Sequence, residues 1–188
     1  MAVTTHDSEL LIQFRDPATK EKAYTQIIRK YQEKLYWHIR RMVVDHEDAN
    51  DVLQNVFIRV WNGLENFRED AQLYTWLYRI AVNICIDHQR REKRSPLEFR
   101  ESMDEVFEQQ NEVARDPFSD VHDRELREQM LSAIDDLTPE HKAVIVLRTL
   151  EGMSYKDIGE ILGCSEGTVM SRLHYARKKL QNKLSAFL

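Results

Sequence analysis

The 188-residue sequence has few of the residues that interrupt helices or build cross-links between distant segments. It contains five glycines, four prolines and two cysteines, and Cys85 and Cys164 lie in different segments of the chain. Two such thiols argue against a disulfide framework and against a thiolate metal site, and the seven histidines show no paired ligand spacing. We therefore expect no metal and no cofactor, and the scarcity of turn residues favours helices.

Long apolar runs are also missing from the sequence. No stretch approaches the ~20 apolar residues that are needed to cross a bilayer, and the N-terminus, MAVTTHDSEL, lacks the basic and apolar regions of a secretory signal. The sequence therefore predicts a cytoplasmic protein.

Acidic residues outnumber basic ones, with 32 against 27 and a net charge of −5, but basic residues predominate in two segments. Segment 88–94 carries four basic residues and one acid, and segment 166–188 carries five basic residues and one acid. Between them, segment 97–120 carries eight acids and two arginines. Two basic surfaces separated by an acidic connector predict DNA contact at two points, with help from a partner.

The spacing of apolar residues predicts an all-α chain with two small helical domains. Residues 19–94 form the first domain after an N-terminal extension, 1–18, and residues 123–188 form the second after a flexible acidic linker, 95–122. Asp45 is predicted to cap a helix that ends at Asn62-Gly63, with Gly63 in the left-handed C-cap conformation. A third helix is expected from Gln72 to about Arg91.

The second domain contains the most informative pattern, EGMSYKDIGEILGCSEGTVMSRLHYARKKL, at residues 151–180. Ser154 with Asp157 forms a capping box, and Ser165 caps the following helix. Gly159 leaves room where two helices cross, and Gly163 supplies a tight turn. These features predict a helix-turn-helix whose last helix enters the major groove; the alternative is a helical hairpin with a solvated basic face.

Together, three motifs in this order resemble the sigma factors of bacterial transcription initiation, specifically the extracytoplasmic-function (ECF) group. They are DHEDANDVLQNVFIRVW at residues 45–61, FREDAQLYTWLYRIAVNICIDHQRR at residues 67–91, and the helix-turn-helix. The resemblance implies an alternative sigma factor that directs core RNA polymerase to promoters and is not an enzyme. It further implies contacts with the beta-prime clamp and beta flap, promoter DNA as a ligand, no small-molecule substrate, and an anti-sigma factor as a regulator.

The resemblance also assigns candidate contact residues to each motif. The first motif would bind the polymerase clamp, although Asn55 replaces a common Glu; its candidates are Asp51, Gln54, Asn55 and Arg59. The second would melt and read the minus-ten element, with Trp76 expected in the core; its candidates are Phe67, Asp70, Ala71, Arg79, Asn83, Asp87, Arg90 and Arg91.

The last helix would read the minus-thirty-five element. Met170 and Tyr175 replace residues that are often basic in the family, which leaves the promoter sequence open. The candidates in this element are Ser165, Glu166, Thr168, Met170, Ser171, Arg172, His174, Tyr175, Arg177 and Lys178.

Two other functions remain open from the residues alone. A stand-alone repressor or response-regulator output domain could end in a similar helix-turn-helix, but residues 45–91 show neither a ligand pocket nor a phospho-acceptor α/β pattern. A nucleic-acid enzyme would need convergent acid, base or metal-binding groups. Asp51, Asp70 and Asp87 show no such arrangement.

Overall fold

The computed structural model describes residues 5–43, 45–67, 72–92 and 132–185, and within these ranges all regular elements are helical. The predicted linker, 95–122, lies outside the described residues, as do Asp70 and Ala71. The first module contains α1 (Thr5–Arg15), α2 (Lys20–Met42), α3 (His46–Leu64) and α4 (Leu73–Glu92). After a helical stretch at residues 132–135, the second contains α5 (Pro139–Ile145), a π-helical segment (Val146–Leu150), α6 (Tyr155–Leu162) and α7 (Glu166–Leu184).

Helix α1 belongs to the core of the first module, a role that the sequence did not predict for the extension 1–18. It packs against α2 and buries Leu10, Leu11 and Phe14. The Phe14 ring meets Trp61 edge-on at 5.3 Å between ring centroids. Three apolar residues of α1 are consecutive, Leu10 to Ile12. Such a run lacks the spacing of an amphipathic helix, so the sequence pattern did not indicate this packing.

The start of α3 confirms one predicted cap, and its end corrects another. Asp45 accepts hydrogen bonds from the backbone N–H groups of Glu47 and Asp48 at 2.7 and 3.0 Å. Gly63, by contrast, is not in the left-handed conformation, and α3 continues through it to Leu64. A Cβ at Gly63 would lie 3.0 Å from Trp76 Cζ2, so this glycine admits the indole ring between α3 and α4.

The second module begins with a cap at Thr138, whose hydroxyl accepts from His141 N–H, and Pro139 occupies the first turn. The π-helical segment that follows was not predicted from the sequence. Arg148 Nη1 donates to the Met153 carbonyl at 2.7 Å, and its guanidinium lies 4.9 Å from the Tyr155 ring centroid. Helix α7 packs along α5 and α6.

Helix α4 lies at the centre of the molecule because it packs on both modules. One side contacts α2 and α3, while α5 and α6 contact it from the second module. The buried apolar residues of both modules form one continuous cluster. The described residues include no helix with the length and hydropathy of a membrane span.

Candidate nucleic-acid interface

The four residues predicted to contact polymerase form one exposed face of α3. Burial along this helix alternates as its apolar pattern predicts: Val52, Val56 and Val60 are fully packed against the module. The polar residues between them project outward and are exposed, as at Asp51, Gln54, Asn55 and Arg59. They are therefore available to a partner in this arrangement.

Sequence reasoning missed one residue on this face, Ile58, whose side chain is 59% exposed. Ile58 follows Gln54 by four residues and Asn55 by three, so it shares their side of the helix. A large apolar group surrounded by polar ones is typical of the centre of a binding surface. The sequence signal was available, because Ile58 falls outside the register of Val52, Val56 and Val60.

The predicted minus-ten residues on α4 also form a single exposed stripe. Arg79, Asn83 and Asp87 recur every four residues, and all three are exposed. Arg90 and Arg91 continue the stripe toward the end of the helix. Arg90 approaches Asp87 at 3.8 Å, and Arg91 Nε donates to the Asp87 carbonyl at 3.3 Å, so the cationic groups are held near one acidic residue.

Phe67, a candidate for the minus-ten contact, lies in the core of the first module. Its side chain is only 5% exposed, and its ring packs on Trp76 at 5.1 Å between centroids. The Phe67 carbonyl accepts from Arg15 at 3.3 Å, which ties this end of α3 to α1. In this arrangement the ring packs against the Trp76 indole, which itself lies against Gly63.

The helix-turn-helix has the predicted local geometry. Ser154 Oγ accepts from Asp157 N–H at 3.1 Å and donates to the Asp157 carboxylate at 2.6 Å. Ser165 Oγ accepts from Thr168 N–H at 3.2 Å. Gly163 has φ of 62°, a left-handed conformation that glycine adopts at little energetic cost. A Cβ at Gly159 would lie 2.8 Å from the Cys164 carbonyl oxygen, so glycine permits the turn to close against α6.

Helix α7 presents the predicted minus-thirty-five residues on its outer side. Only a narrow face of the helix is buried, formed by Val169, Leu173 and Ala176. Most of the helix surface is therefore accessible to a ligand. Two candidates, Thr168 and Arg172, are partly buried. The remaining candidates are exposed: Ser165, Glu166, Met170, Ser171, His174, Tyr175, Arg177 and Lys178.

Arg172 is the candidate least able to reach DNA in this arrangement. Its Nη1 lies 3.8 Å from Cys164 Sγ in the turn, which places the guanidinium along the protein surface. Tyr175, by contrast, is 62% exposed, and its ring stands edge-on to His174 at 5.7 Å. Both aromatic side chains lie on the exposed outer face.

One cluster of potential metal ligands is present among the described residues: Asp48, His88 and Glu92 offer atoms within 4.8 Å of one another. Asp48 approaches His88 Nε2 and Glu92 approaches Nδ1, both at 3.5 Å. The carboxylates thus face different nitrogens of one ring, whereas a single ion would be bound by one ring nitrogen and would need both carboxylates on that side of the ring. The arrangement is that of a histidine between two acids.

Neither cysteine is among the candidate contact residues. Cys85 is fully buried in α4, and burial raises the pKa of its thiol to about 12. It is therefore a protonated packing residue at neutral pH. Cys164 lies in the turn before α7 and is partly buried.

Comparison with known families agrees with both modules. The Sigma-70 region 2 family matches residues 27–95, and the Sigma-70, region 4 family matches residues 127–180. The ECF RNA polymerase sigma-E factor of Haemophilus influenzae is 35% identical over 174 residues, which cover 89% of this chain and 90% of that protein. The RNA polymerase sigma-H factor of Pseudomonas aeruginosa is 34% identical, with 89% of each chain covered.

Solved structures agree on the fold. CnrH in complex with the cytosolic domain of CnrY aligns with a TM-score of 0.66 and 24% identity, covering 97% of this chain and 99% of that one. The sigma factor RpoE of Bartonella quintana, in complex with the anti-sigma factor NepR, aligns with a TM-score of 0.63 and 22% identity over 87% and 98% of the two chains. From its motifs, its fold and relatives that match along almost their full length, this chain belongs to the ECF sigma factors, which direct RNA polymerase to promoter DNA.

Proposed function

We propose that the chain is a dissociable, non-catalytic polymerase subunit in which α3 binds the polymerase clamp, α4 contacts the opened minus-ten strand and α7 reads the minus-thirty-five duplex. The main support is the exposed face of α3, where an apolar residue stands among the polar residues that the family resemblance assigns to polymerase. Acting with a cytoplasmic polymerase, such a subunit would work in the cytoplasm.

Ile58 is the anchor of the proposed polymerase contact. Burying an exposed isoleucine side chain against a partner contributes about 1.5–3 kcal/mol, which is more than an exposed ion pair usually contributes. Asp51, Gln54, Asn55 and Arg59 would then set the orientation of the helix through hydrogen bonds around this anchor. Asn55 offers a neutral partner where a carboxylate would give a charge-assisted contact.

The two proposed DNA-binding helices suit different forms of DNA. The exposed stripe of α4 is narrow and polar, and it is formed by Arg79, Asn83 and Asp87. A stripe of this width is suited to contact with a single DNA strand. The outer face of α7 is broad, and hydroxyl, imidazole and basic groups are suited to base edges and phosphates in the major groove. The net charge of −5 opposes tight DNA binding by the free chain, so polymerase would supply the remaining affinity.

We further propose regulation by an anti-sigma protein. The structurally similar CnrH and RpoE were solved with the cytosolic domain of CnrY and with the anti-sigma factor NepR. An inhibitor that covered the exposed face of α3 would block polymerase binding directly. Ile58 would then be a contact shared between polymerase and the inhibitor.

The proposal is tested by the variant Ile58→Ala in binding assays with core polymerase and in run-off transcription. We expect about a tenfold loss of polymerase affinity. Ile12→Ala is a matched control, because Ile12 on α1 is 63% exposed and lies on another helix. Equal affinity of both variants and the unchanged protein would refute the α3 contact.

The remaining alternatives predict different activities of the purified chain. A stand-alone repressor would bind promoter DNA tightly without polymerase at ~150 mM salt, where non-specific contacts are weak. A nuclease would degrade DNA when divalent cations are supplied. We expect neither activity, and run-off transcription that depends on both this chain and core polymerase.

A further inference from the structure

Helix α7 exposes two large apolar side chains on the face that is proposed to enter DNA. Met170 is 50% exposed and Tyr175 is 62% exposed. Among the residues that the structure describes, three other large apolar side chains are exposed, and all three lie outside α7. The face of α7 thus offers apolar as well as polar groups to a ligand.

Met170 and Tyr175 lie on opposite edges of this outer face. They are five positions apart in the helix, which separates them by about 140° around its axis. Between them, the first two turns present Gly167 and Ser171, both exposed and both small. The helix backbone can therefore come close to the floor of a groove while a large apolar side chain extends on either side.

The hydroxyl groups at the start of α7 are bonded within the protein. Ser165 Oγ caps the helix, and it lies 2.9 Å from Thr168 Oγ1. Ser171 Oγ donates to the Thr168 carbonyl at 3.0 Å. Hydroxyls that are bonded in this way are less available to the edges of bases.

Basic side chains are also missing from the exposed part of the first two turns. Residues 165–171 contain no lysine or arginine. Arg172 follows, but its Nη1 lies 3.8 Å from Cys164 Sγ in the turn. The next basic residues are Arg177 and Lys178, more than one helical turn further along. Arginine and lysine make the commonest contact with guanine, through its O6 and N7 atoms, so the start of α7 is poorly suited to guanine.

The base group that suits an apolar side chain in the major groove is the 5-methyl group of thymine. Of the four bases, only thymine presents a methyl group there, and it makes apolar contacts with side chains. Arg177 and Lys178 are exposed further along α7, where cations can neutralise phosphates. Apolar groups near the start of the helix and cations beyond them complement a duplex that contains thymine.

The space beside Met170 is open to such a ligand. Met170 lines a groove between the start of α6 and the outer side of α7, together with Tyr155, His174 and Arg177. The unbranched methionine side chain can adjust its shape to a base edge. On the other edge of the face, the Tyr175 ring supplies a rigid apolar surface with few rotatable bonds.

We propose that α7 reads the minus-thirty-five element through the 5-methyl groups of two thymines, one in contact with Met170 and the other with Tyr175. This inference rests on the proposed function, because it assumes that α7 enters the major groove of this element. Deoxyuridine differs from thymidine only in lacking the 5-methyl group. Replacing one by the other therefore removes the apolar contact and leaves the hydrogen bonds of the base pair in place.

Run-off transcription with the full-length chain and core polymerase tests these contacts. A promoter library with a randomised minus-thirty-five element first identifies the preferred sequence, in which we expect thymine at two positions, on either strand. Each thymine is then replaced by deoxyuridine, and initial rates are measured at limiting concentrations of the polymerase complex. We expect each replacement to lower the rate about fourfold, the effect of one buried carbon group.

Substitutions in α7 assign each methyl group to one side chain. Met170→Ala should abolish the difference between thymine and deoxyuridine at one position, and Tyr175→Ala should abolish it at the other. Tyr175→Phe keeps the ring and should keep the difference. Leu150→Ala is the matched control, because Leu150 is an exposed apolar residue of the same module outside α7; both differences should persist in this variant.

The outcomes are distinguishable. Equal rates from thymine and deoxyuridine promoters, a preferred element without thymine, or full sensitivity in Met170→Ala and Tyr175→Ala would overturn the methyl contacts. Weaker binding of these two variants to core polymerase without DNA would also overturn them, because the side chains would then be polymerase contacts. Absence of transcription from every member of the library with the unchanged chain and polymerase would overturn the proposed function instead.

Discussion

The two proposed DNA-binding helices, α4 and α7, have nearly equal lengths but very different surroundings. Ten of the 20 residues of α4 are buried, whereas only three of the 19 residues of α7 are. Helix α4 supports the cores of both modules and keeps a narrow polar stripe, while α7 is attached along one seam. A helix that enters a DNA groove, as proposed for α7, needs an exposed surface around most of its axis. A helix that contacts a single strand, as proposed for α4, needs only one exposed stripe and can pack in the core with its other faces.

The largest expected effect is a loss of stability when an apolar side chain of α4 is shortened, compared with the same change in α7. Leu77 in α4 is fully buried, and Leu77→Ala should lower the free energy of unfolding by about 3 kcal/mol, because it leaves a cavity between packed helices. Leu180 in α7 is only partly buried, and Leu180→Ala should cost about 1 kcal/mol. Urea denaturation measures both; equal losses would mean that α7 is as deeply packed as α4.

The glycines that allow close approach in each module should differ in their tolerance of alanine. Gly159→Ala places a Cβ against the backbone carbonyl of Cys164, so the turn must move, and we expect a loss of about 2 kcal/mol. Gly63→Ala meets the side chain of Trp76, which can shift, and the gain of about 1 kcal/mol in helix propensity offsets the crowding. Thermal melting should therefore separate the two variants; a larger loss at Gly63 would contradict this reading.

A functional comparison separates strand contact from duplex reading. Asn83→Ala on α4 and Arg177→Ala on α7 should each reduce transcription from a duplex promoter by about tenfold, or about 1.4 kcal/mol. A promoter with a pre-opened minus-ten region should partly restore Asn83→Ala, because part of the melting has already been done. It should not restore Arg177→Ala. Equal rescue of both variants would show that α4 has no special role in strand opening.

The smallest expected effect is a pH dependence of the junction between the modules. Burial lowers the pKa of His38, and the neighbouring Glu151 only partly opposes this. Around the ring lie Arg41 of α2, Tyr78 of α4, with its ring 4.8 Å away, and Glu151 of the second module. The packed arrangement of the two modules, here called the closed form, thus holds His38 neutral, whereas separated modules, the open form, would take up a proton as the pH falls below the ordinary histidine value of ~6.5.

Stability of the closed form is therefore complete above pH ~6.5 and falls as the pH decreases toward the lowered pKa of His38. Burial favours a raised pKa for the Glu151 carboxyl, but the neighbouring His38 and Arg41 outweigh it and keep the pKa low, so acid weakens this group's contribution in the same direction. Between pH 7.5 and 6.0 we expect His38 to cost the closed form at most about 0.8 kcal/mol. A radius of gyration that grows over this range in the unchanged protein, but not in His38→Gln, would support this; opening toward higher pH would contradict it.

Local features of this protein were predictable from the sequence alone. The caps at Asp45, Ser154 and Ser165 depend on side chains that bond to backbone groups within three residues, and the turn at Gly163 depends on φ at a single position. The exposed faces of α3, α4 and α7 followed from helical spacing for the same reason. Short-range rules determine such features before any long-range contact forms.

Tertiary structure decided what depended on distant partners. Phe67, which its motif assigned to the minus-ten contact, is a core residue whose ring packs on Trp76. Gly63 looked like a helix terminus and is a spacer for the same indole. Helix α1 depends on the surface that α2 offers, and the junction of the modules pairs Arg41 with Glu151, 110 positions away. Burial of apolar surface is non-directional, so an apolar side chain can pack against many others. Which residues come into contact is determined only by the tertiary structure.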